Sequence, residues 1–248
     1  MKKLLAITAL SAALFFGQTA AAEEKAAEEV KPSHVEMVLV LDESGSMSDL
    51  TRDTIGGFNS MIEKEKKLDV DAHVTTVLFN DQYKMLYNRR ELKDVSKMTD
   101  KDYTPGGMTA LLDAVGRTIH KMDMVSGIHR KDKGNKVLFV IITDGEENDS
   151  KEYTYADVKK LIKDRQENAG WEFIFLGANI DAAAAAENLG IDRDRAVKYK
   201  NTGSGVRANF KAVAELSDSL AKSGRVSDEW KDAVEIDEGD AADNGWAA

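Results

Sequence analysis

The feature that most constrains this chain is an unbroken apolar run, Met37 to Leu41, that leads into the polar loop 42–47. A short apolar run without alternation is typical of a strand buried on both faces, as in the centre of a parallel sheet. A second run of this kind, Val137 to Ile142, ends in Thr143-Asp144-Gly145. Ligands bind beyond the carboxyl ends of the strands in open parallel sheets, so we expect Asp42 and Asp144 to lie at one functional edge.

Strand and helix patterns alternate along the rest of the chain. Strand-like runs are found at 74–79, 173–176 and 196–199, and apolar residues with helical spacing at 55–62, 111–122, 155–162 and 206–220. The segment 83–87 follows a turn and is expected to return as an antiparallel edge strand. Thr154 and Asp157 form a capping box that opens a helix with Tyr155 turned inward. The pattern predicts an α/β fold with a doubly wound, mostly parallel sheet and helices on both faces.

The composition limits the classes of function. The chain has 248 residues, 42% hydrophobic and 31% charged, which is ordinary for a globular protein. Its formal net charge is −10 and no basic cluster interrupts the acidic background, so nucleic acid is not an expected partner. There is no cysteine, which excludes a disulfide framework.

The amino terminus has the pattern of an export signal. Lys2 and Lys3 precede an apolar core from Leu4 to Phe16, and Ala20-Ala21-Ala22 forms a small-residue cleavage site. We expect cleavage near Ala22 and a periplasmic or secreted protein. The apolar core is short for a bilayer span and no cysteine is available for lipid attachment, so no membrane anchor is expected.

Composition also divides the chain into four parts. These are a signal peptide (1–22), a charged linker (23–33), a folded domain (34–224) and an acidic tail (225–248). The tail is expected to contain a short docked helix at 227–236 with a frayed acidic end. A partner-binding role for the tail is the alternative.

Five oxygen-bearing residues form the candidate site. Asp42, Ser44 and Ser46 follow the first strand at two-residue spacing, Asp144 follows another strand, and Thr109 ends the loop 104–109. Carboxylate and hydroxyl oxygens are ligands for a small hard cation. Thr109 also suits the N-cap of the helix that follows it, which by itself is a sufficient explanation. Asp42 and Thr109 are expected on surface loops, where substitution leaves the fold intact.

The other polar residues have simpler interpretations. The acidic run 146–149 is expected to be a solvated loop. His34 is expected to be a solvated residue at the start of a strand, and His73 and His120 are expected to be structural or solvated.

The five-residue set resembles the metal-ion-dependent adhesion site of von Willebrand factor A-type (vWA) domains. The resemblance rests on Asp42-Glu43-Ser44-Gly45-Ser46, Gly106-Gly107-Met108-Thr109 and Thr143-Asp144-Gly145, and extends from about His34 to about Ser223. It implies Mg²⁺ or Mn²⁺ held by the hydroxyls of Ser44, Ser46 and Thr109, with Asp42 and Asp144 acting through bound waters. An open position would then accept an Asp or Glu carboxylate from a partner protein.

Three alternatives remain beside this adhesion-type module. The domain can be an accessory or assembly factor of an envelope complex, or its metal can be mainly structural. A strand-end aspartate also opens haloacid-dehalogenase-like phosphatases, which transfer phosphoryl groups with Mg²⁺. Those enzymes need an acid two residues after the aspartate, and here Ser44 takes that position, so no enzyme is expected. The partner and the oligomeric state are not defined by the sequence.

Overall fold

Six strands form one sheet in the computed structural model, which describes residues 34–68, 70–125 and 135–235. The strands are β1 (His34–Asp42), β2 (Ala72–Phe79), β3 (Tyr83–Glu91), β4 (Asn135–Thr143), β5 (Glu172–Gly177) and β6 (Ala196–Lys198). The helices are α1 (Thr51–Lys67), α2 (Leu111–Asp123), α3 (Tyr155–Asp164), α4 (Ala182–Leu189), α5 (Gly203–Ser223) and α6 (Asp232–Glu235). The predicted signal peptide and linker and the end of the predicted tail lie outside the described residues.

The strand order is β3-β2-β1-β4-β5-β6, and every pair is parallel except β2 with β3. The predicted fold class, with one antiparallel strand at the edge, is therefore confirmed. β1 lies between β2 and β4, and Leu41 pairs with Ile142. The chain passes from β1 to β2 on one side and returns to β4 on the other, so the ends of β1 and β4 lie at the point where the winding direction reverses.

The central strand is buried on both faces, as its apolar run predicts. Met37, Leu39 and Leu41 pack in the cluster that contains Phe58 of α1 and residues of α5. Val38 and Val40 pack in the opposite cluster, with α2 and α3. No helix among the described residues is long and apolar enough to cross a membrane.

The predicted start of α3 is confirmed, since Thr154 and Asp157 form the reciprocal capping box. Gly190 ends α4 with a φ of 86°. Tyr155 was expected to point inward and is instead 43% exposed. That prediction is wrong because the buried face of α3 is narrow and consists of Val158 and Ile162.

The start of the predicted tail packs against the domain. A 3-10 turn (Asp228–Lys231) leads into α6, which confirms the docked helix in the part of the tail that the structure describes. Trp230 and Val234 are buried in the same cluster as α5.

Helices α1 and α5 approach closely at one glycine. A Cβ placed on Gly57 would lie 2.5 Å from Cδ2 of Phe210, a buried ring of α5, whereas a Cβ on the adjacent Gly56 would meet nothing within 4 Å. The close packing of α1 against α5 therefore requires a glycine at position 57, whereas position 56 has room for a side chain.

We predict opposite effects for alanine at these two positions. Gly57→Ala should destabilise the protein by about 1–3 kcal/mol because the methyl group overpacks a filled core. Gly56→Ala should stabilise it by up to about 1 kcal/mol because alanine is the better helix former. Urea unfolding monitored by circular dichroism measures both, and equal effects of the two substitutions would contradict the packing role of Gly57.

A carboxyl group is buried in the same helix pair. Glu65 of α1 is fully buried, and its Oε2 accepts a hydrogen bond of 2.8 Å from Ser217 of α5, while its Oε1 has no partner among the residues that the structure describes. Burial raises the pKa of Glu65 from 4.5 to about 7, against the lowering effect of the Ser217 hydrogen bond. The carboxyl is therefore protonated in the folded protein over a range where it ionises in the unfolded chain.

Stability should consequently fall as the pH rises from about 4.5 through 7, because the folded state holds the proton more tightly. Glu65→Gln removes this penalty, so the variant should exceed the wild type in stability at pH 8 by up to about 3 kcal/mol and match it near pH 4.5. Urea unfolding at the two pH values measures the difference. Glu63→Gln, the same substitution on a partly exposed side chain of α1, is the control.

Candidate metal centre

Asp42 ends β1 and ties two loops together at the sheet edge. Its Oδ1 accepts a 2.7 Å hydrogen bond from the backbone N–H of Ser44, and its Oδ2 accepts one of 2.6 Å from the hydroxyl of Thr143 at the end of β4. The first bond is local to the loop, whereas the second depends on the parallel pairing of β1 with β4, which places the two strand ends side by side.

The hydroxyl groups of the first loop reach the second aspartate. Oγ of Ser44 lies 3.1 Å from Oγ of Ser46, and the Ser46 hydroxyl donates to Oδ1 of Asp144 at 2.5 Å. The side-chain amide of Asn201 donates to the other Asp144 oxygen at 3.3 Å. Four of the five predicted site residues thus belong to one hydrogen-bond network.

Thr109 reaches the same place from a third loop. A Cβ placed on Gly145 would lie 3.5 Å from Oγ1 of Thr109 and 3.8 Å from Oγ of Ser46, so both hydroxyls lie near this glycine. The alternative role of Thr109 as a helix cap is wrong. α2 begins at Leu111 with Ala110 at the N-cap, because the N–H of Ala110 bonds to the carbonyl of Asn80.

The site is more deeply covered than the sequence predicts. Asp42 and Thr109 were expected on surface loops, but they are only 1% and 4% exposed. The reason is that the segment before Thr109 folds over the sheet edge. The Tyr103 hydroxyl donates to the carbonyl of Asp42 at 2.6 Å, and the N–H of Gly106 donates to the carbonyl of Glu43 at 2.9 Å.

The two aspartates of the site lack a basic side chain beside them in the described part of the chain. Asp42 and Asp144 are both buried, and no lysine or arginine in the described part of the chain forms an ion pair with either of them. Burial raises the pKa of Asp42, and the charge of Asp144 adds to this, while hydrogen bonds from Ser44 and Thr143 act in the opposite direction. A buried charge is costly unless it is paired or coordinates a metal.

The donor set fits the ion that the sequence implies. Hydroxyl and carboxylate oxygens from three loops converge, with no nitrogen or sulfur donor among the five residues. Such an all-oxygen set suits Mg²⁺ or Mn²⁺. Ser46 is the exposed member of the set, so solvent reaches the site at this residue. The assignment of the metal ligands stays a prediction.

Comparison with known proteins defines the family. The family model of vWA domains found at the C terminus of TerF matches residues 34–191, more than half of the chain. The chain belongs to the vWA-TerF-like family. The matched region contains all five predicted site residues. No curated protein matches the chain.

Solved structures of vWA domains share the fold. The pilus adhesin SpaC from Lactobacillus rhamnosus GG aligns with a TM-score of 0.60 and 14% identity over 78% of this chain and 31% of SpaC. The vWF domain of the type V pili tip protein Mfa5 from Porphyromonas gingivalis aligns with a TM-score of 0.54 and 12% identity over 79% of this chain and 99% of that domain. A von Willebrand factor type A protein from Catenulispora acidiphila aligns with a TM-score of 0.50 and 15% identity over 75% of this chain and 43% of that protein. The chain thus spans less than half of SpaC and of the Catenulispora protein, and identities this low show the fold alone.

The acidic run after Asp144 is solvated as predicted, with Glu146 and Asn148 exposed, and it is also held by hydrogen bonds to distant residues. Glu147 accepts hydrogen bonds from the N–H of Leu112 at 3.0 Å and from the N–H and hydroxyl of Ser150, both at 2.7 Å. The amide oxygen of Asn148 accepts from the N–H of Thr109 at 2.8 Å, and its own N–H donates to the Thr109 carbonyl at 3.0 Å. This vWA loop holds the first turn of α2 and positions Thr109. Sequence alone indicates a run of polar residues here but not its long-range partners.

We predict that Glu147→Ala lowers the free energy of unfolding by about 1–3 kcal/mol, because it leaves N–H groups at the start of α2 and in the loop without an acceptor. The adjacent Glu146→Ala is the matched control, since Glu146 is exposed, and it should have an effect within about 0.5 kcal/mol. Thermal and urea unfolding measure both. Equal stability of the two variants would show that the loop is not held by Glu147.

Proposed function

We propose that this vWA domain is a protein-binding module in which a Mg²⁺ or Mn²⁺ ion accepts a carboxylate from a partner protein. The hydroxyls of Ser44, Ser46 and Thr109 would hold the ion, backed by Asp42 and Asp144. The observation that carries the proposal is the pair of buried carboxylates, with hydroxyls around them and no basic partner among the described residues.

Charge explains why an ion is needed for such a partner. The chain carries a formal net charge of −10, and the site itself contributes two carboxylates. An acidic side chain of a partner would be repelled by this surface. A bound divalent cation reverses the sign of the local field, and neutral hydroxyl ligands leave the ion electrophilic.

The surface around the site supports a macromolecular ligand. Ser46 is exposed, and Met108, which precedes Thr109 in the same loop, is 50% exposed. An exposed apolar side chain beside a polar centre offers contact area to a protein surface, in addition to the single bond at the ion.

The descriptions of the related structures are consistent with the proposed protein-binding role. SpaC is described as a pilus adhesin, Mfa5 as a pili tip protein, and PilB from Streptococcus sanguinis as a minor pilin. The export signal that the sequence predicts would place the present chain in the periplasm or outside the cell, where it would meet other exported proteins.

We also propose that the domain is not an enzyme. Ser44 stands where the phosphatases that share a strand-end aspartate need an acid. A serine hydroxyl is too weak an acid near neutral pH to replace that group, so acid–base catalysis lacks its proton donor. His34, His73 and His120 make their hydrogen bonds with residues outside the site.

Binding of the ion is tested with purified full-length protein and Mn²⁺, whose electron paramagnetic resonance signal weakens on binding. We expect one Mn²⁺ per chain, displaced by Mg²⁺, and a loss of affinity of about tenfold or more in Ser46→Ala and Asp144→Asn. Ser48→Ala is the matched control, because Ser48 is an exposed serine of the same turn whose hydroxyl bonds to the carbonyl of Gly45. Absence of binding, or equal binding by all variants, would overturn the metal centre.

Partner binding is tested by capturing envelope proteins on the immobilised chain, with Mg²⁺ and with EDTA. A protein retained by the wild type and by Ser48→Ala only with Mg²⁺, and lost with Ser46→Ala, would support the carboxylate bridge. Identical profiles with and without Mg²⁺ would contradict it. Mn²⁺ binding combined with identical profiles would favour the accessory factor with a mainly structural ion.

A further inference from the structure

A second group of metal-binding side chains lies at the opposite edge of the sheet. His34 and Glu36 are on one face of β1, and His73 of β2 pairs directly across from Glu36. Six residues of extended strand separate Glu36 from Asp42, which is about 20 Å. We infer that His34, Glu36 and His73 form a binding site for a zinc-class transition metal ion, separate from the predicted Mg²⁺ centre.

The three donor atoms have separations that suit a tetrahedral ion. Nε2 of His34 lies 3.3 Å from Oε1 of Glu36, and Nδ1 of His73 lies 3.4 Å from the same oxygen. Metal–ligand bonds of about 2.0–2.1 Å at tetrahedral angles place neighbouring donors about 3.4 Å apart. The third side, His34 Nε2 to His73 Nδ1, is 2.8 Å, so the rings need to separate by about half an ångström.

The two histidine rings face each other across the proposed site, with Nε2 of His34 and Nδ1 of His73 2.8 Å apart and joined by a shared hydrogen. A terminal guanidinium nitrogen of Arg89 lies 3.3 Å from the same His73 nitrogen. Metal ions compete with such protons because they bind the deprotonated donors.

The surrounding side chains hold the ligands as they do around known metal ions. Nδ1 of His34 donates to Oδ1 of Asp71 at 2.9 Å, and a ligating histidine commonly donates its other N–H to a carboxylate. Glu36 is 2% exposed, and its Oε2 accepts from Nε of Arg89 at 3.0 Å. The contacts of the terminal Arg89 nitrogen with Oε1 of Glu36 and with Nδ1 of His73 would both give way to the ion.

Arg89 is held in place by an irregularity of the edge strand. It has a φ of 46°, a left-handed conformation that non-glycine residues rarely adopt, near the register shifts between β2 and β3. Its N–H donates to the hydroxyl of Thr75 at 3.1 Å. This bend turns the guanidinium toward Glu36, and the hydrogen bonds from His34 and Arg89 outweigh burial and lower the pKa of Glu36 to about 2. Arg89 thus holds the Glu36 carboxyl group in place beside the two histidine rings.

The ligand set selects the class of metal. Two imidazoles and one carboxylate suit Zn²⁺, Co²⁺, Ni²⁺ or Cu²⁺, whereas Mg²⁺ and Ca²⁺ prefer oxygen ligands. The histidine rings are about one-fifth to one-quarter exposed, so a water molecule has access to the fourth position. The two edges of the sheet would thus bind different classes of ion.

The site is tested by titrating Co²⁺ into the untagged, chelator-treated full chain in excess Mg²⁺, which keeps the proposed oxygen site at the other edge occupied, and recording its visible absorption. We expect one Co²⁺ per chain with ligand-field bands, displaced by Zn²⁺ but not by Mg²⁺. His34→Gln and His73→Gln should each lower the affinity at least about tenfold, and Asp71→Asn, which changes only the partner of the His34 ring, by about tenfold. Failure of Co²⁺ to bind would overturn the site.

Two controls separate this site from other ligands of the chain. His120→Gln, in a histidine that bonds to Tyr153 at 2.7 Å, and Asp42→Asn, at the other edge, should leave the Co²⁺ affinity unchanged. Equal binding by the wild type and by His34→Gln or His73→Gln would refute the assignment.

A measurement on the wild type avoids any loss of folding in the variants. Zn²⁺ should shift the ring ¹⁵N resonances of His34 and His73 and leave those of His120 in place. Unchanged His34 and His73 resonances at saturating Zn²⁺ would equally refute the site.

Discussion

The parallel pairing of β1 with β4 is the constraint on which the candidate site depends. It places the two strands that end in polar loops side by side, with Leu41 opposite Ile142, so that Thr143 bonds to Asp42 and Ser46 bonds to Asp144. Neither aspartate has a basic partner among the described residues. The apolar strands stabilise the sheet while their ends concentrate negative charge, and this unbalanced charge favours a divalent cation.

The two edges of the sheet differ in their donor chemistry. The carboxyl edge presents oxygen atoms from Asp42, Ser46 and Asp144, whereas the amino edge presents imidazole nitrogens with one carboxylate, that of Glu36. The central strand β1 contributes residues to both edges. Because the apolar residues between them are fully buried, each edge meets solvent separately.

Much of the fold and the composition of the first site follow from local pattern, because apolar runs and helical spacing report directly on burial. The antiparallel edge strand and the capping box at Thr154 are examples. The roles of Glu147 and of the histidines depend on contacts between residues far apart in the chain. His34 was expected to be solvated, yet it bonds to His73, 39 residues away, only because β1 and β2 pair in one particular register. The left-handed residue Arg89 likewise leaves no local signal.

The position of β1 has a mechanical consequence. The chain enters this strand at His34 at one edge of the sheet and reaches the proposed ligand position at Asp42 at the other. A pulling force between a bound partner and the segment before His34 would therefore run along the axis of a single central strand. The share of the load that enters through Asp144 would pass from β4 to β1 across their hydrogen bonds, which would be loaded together in shear, instead of one after another as when an edge strand peels away. Such a connection resists tension without passing it through the helices.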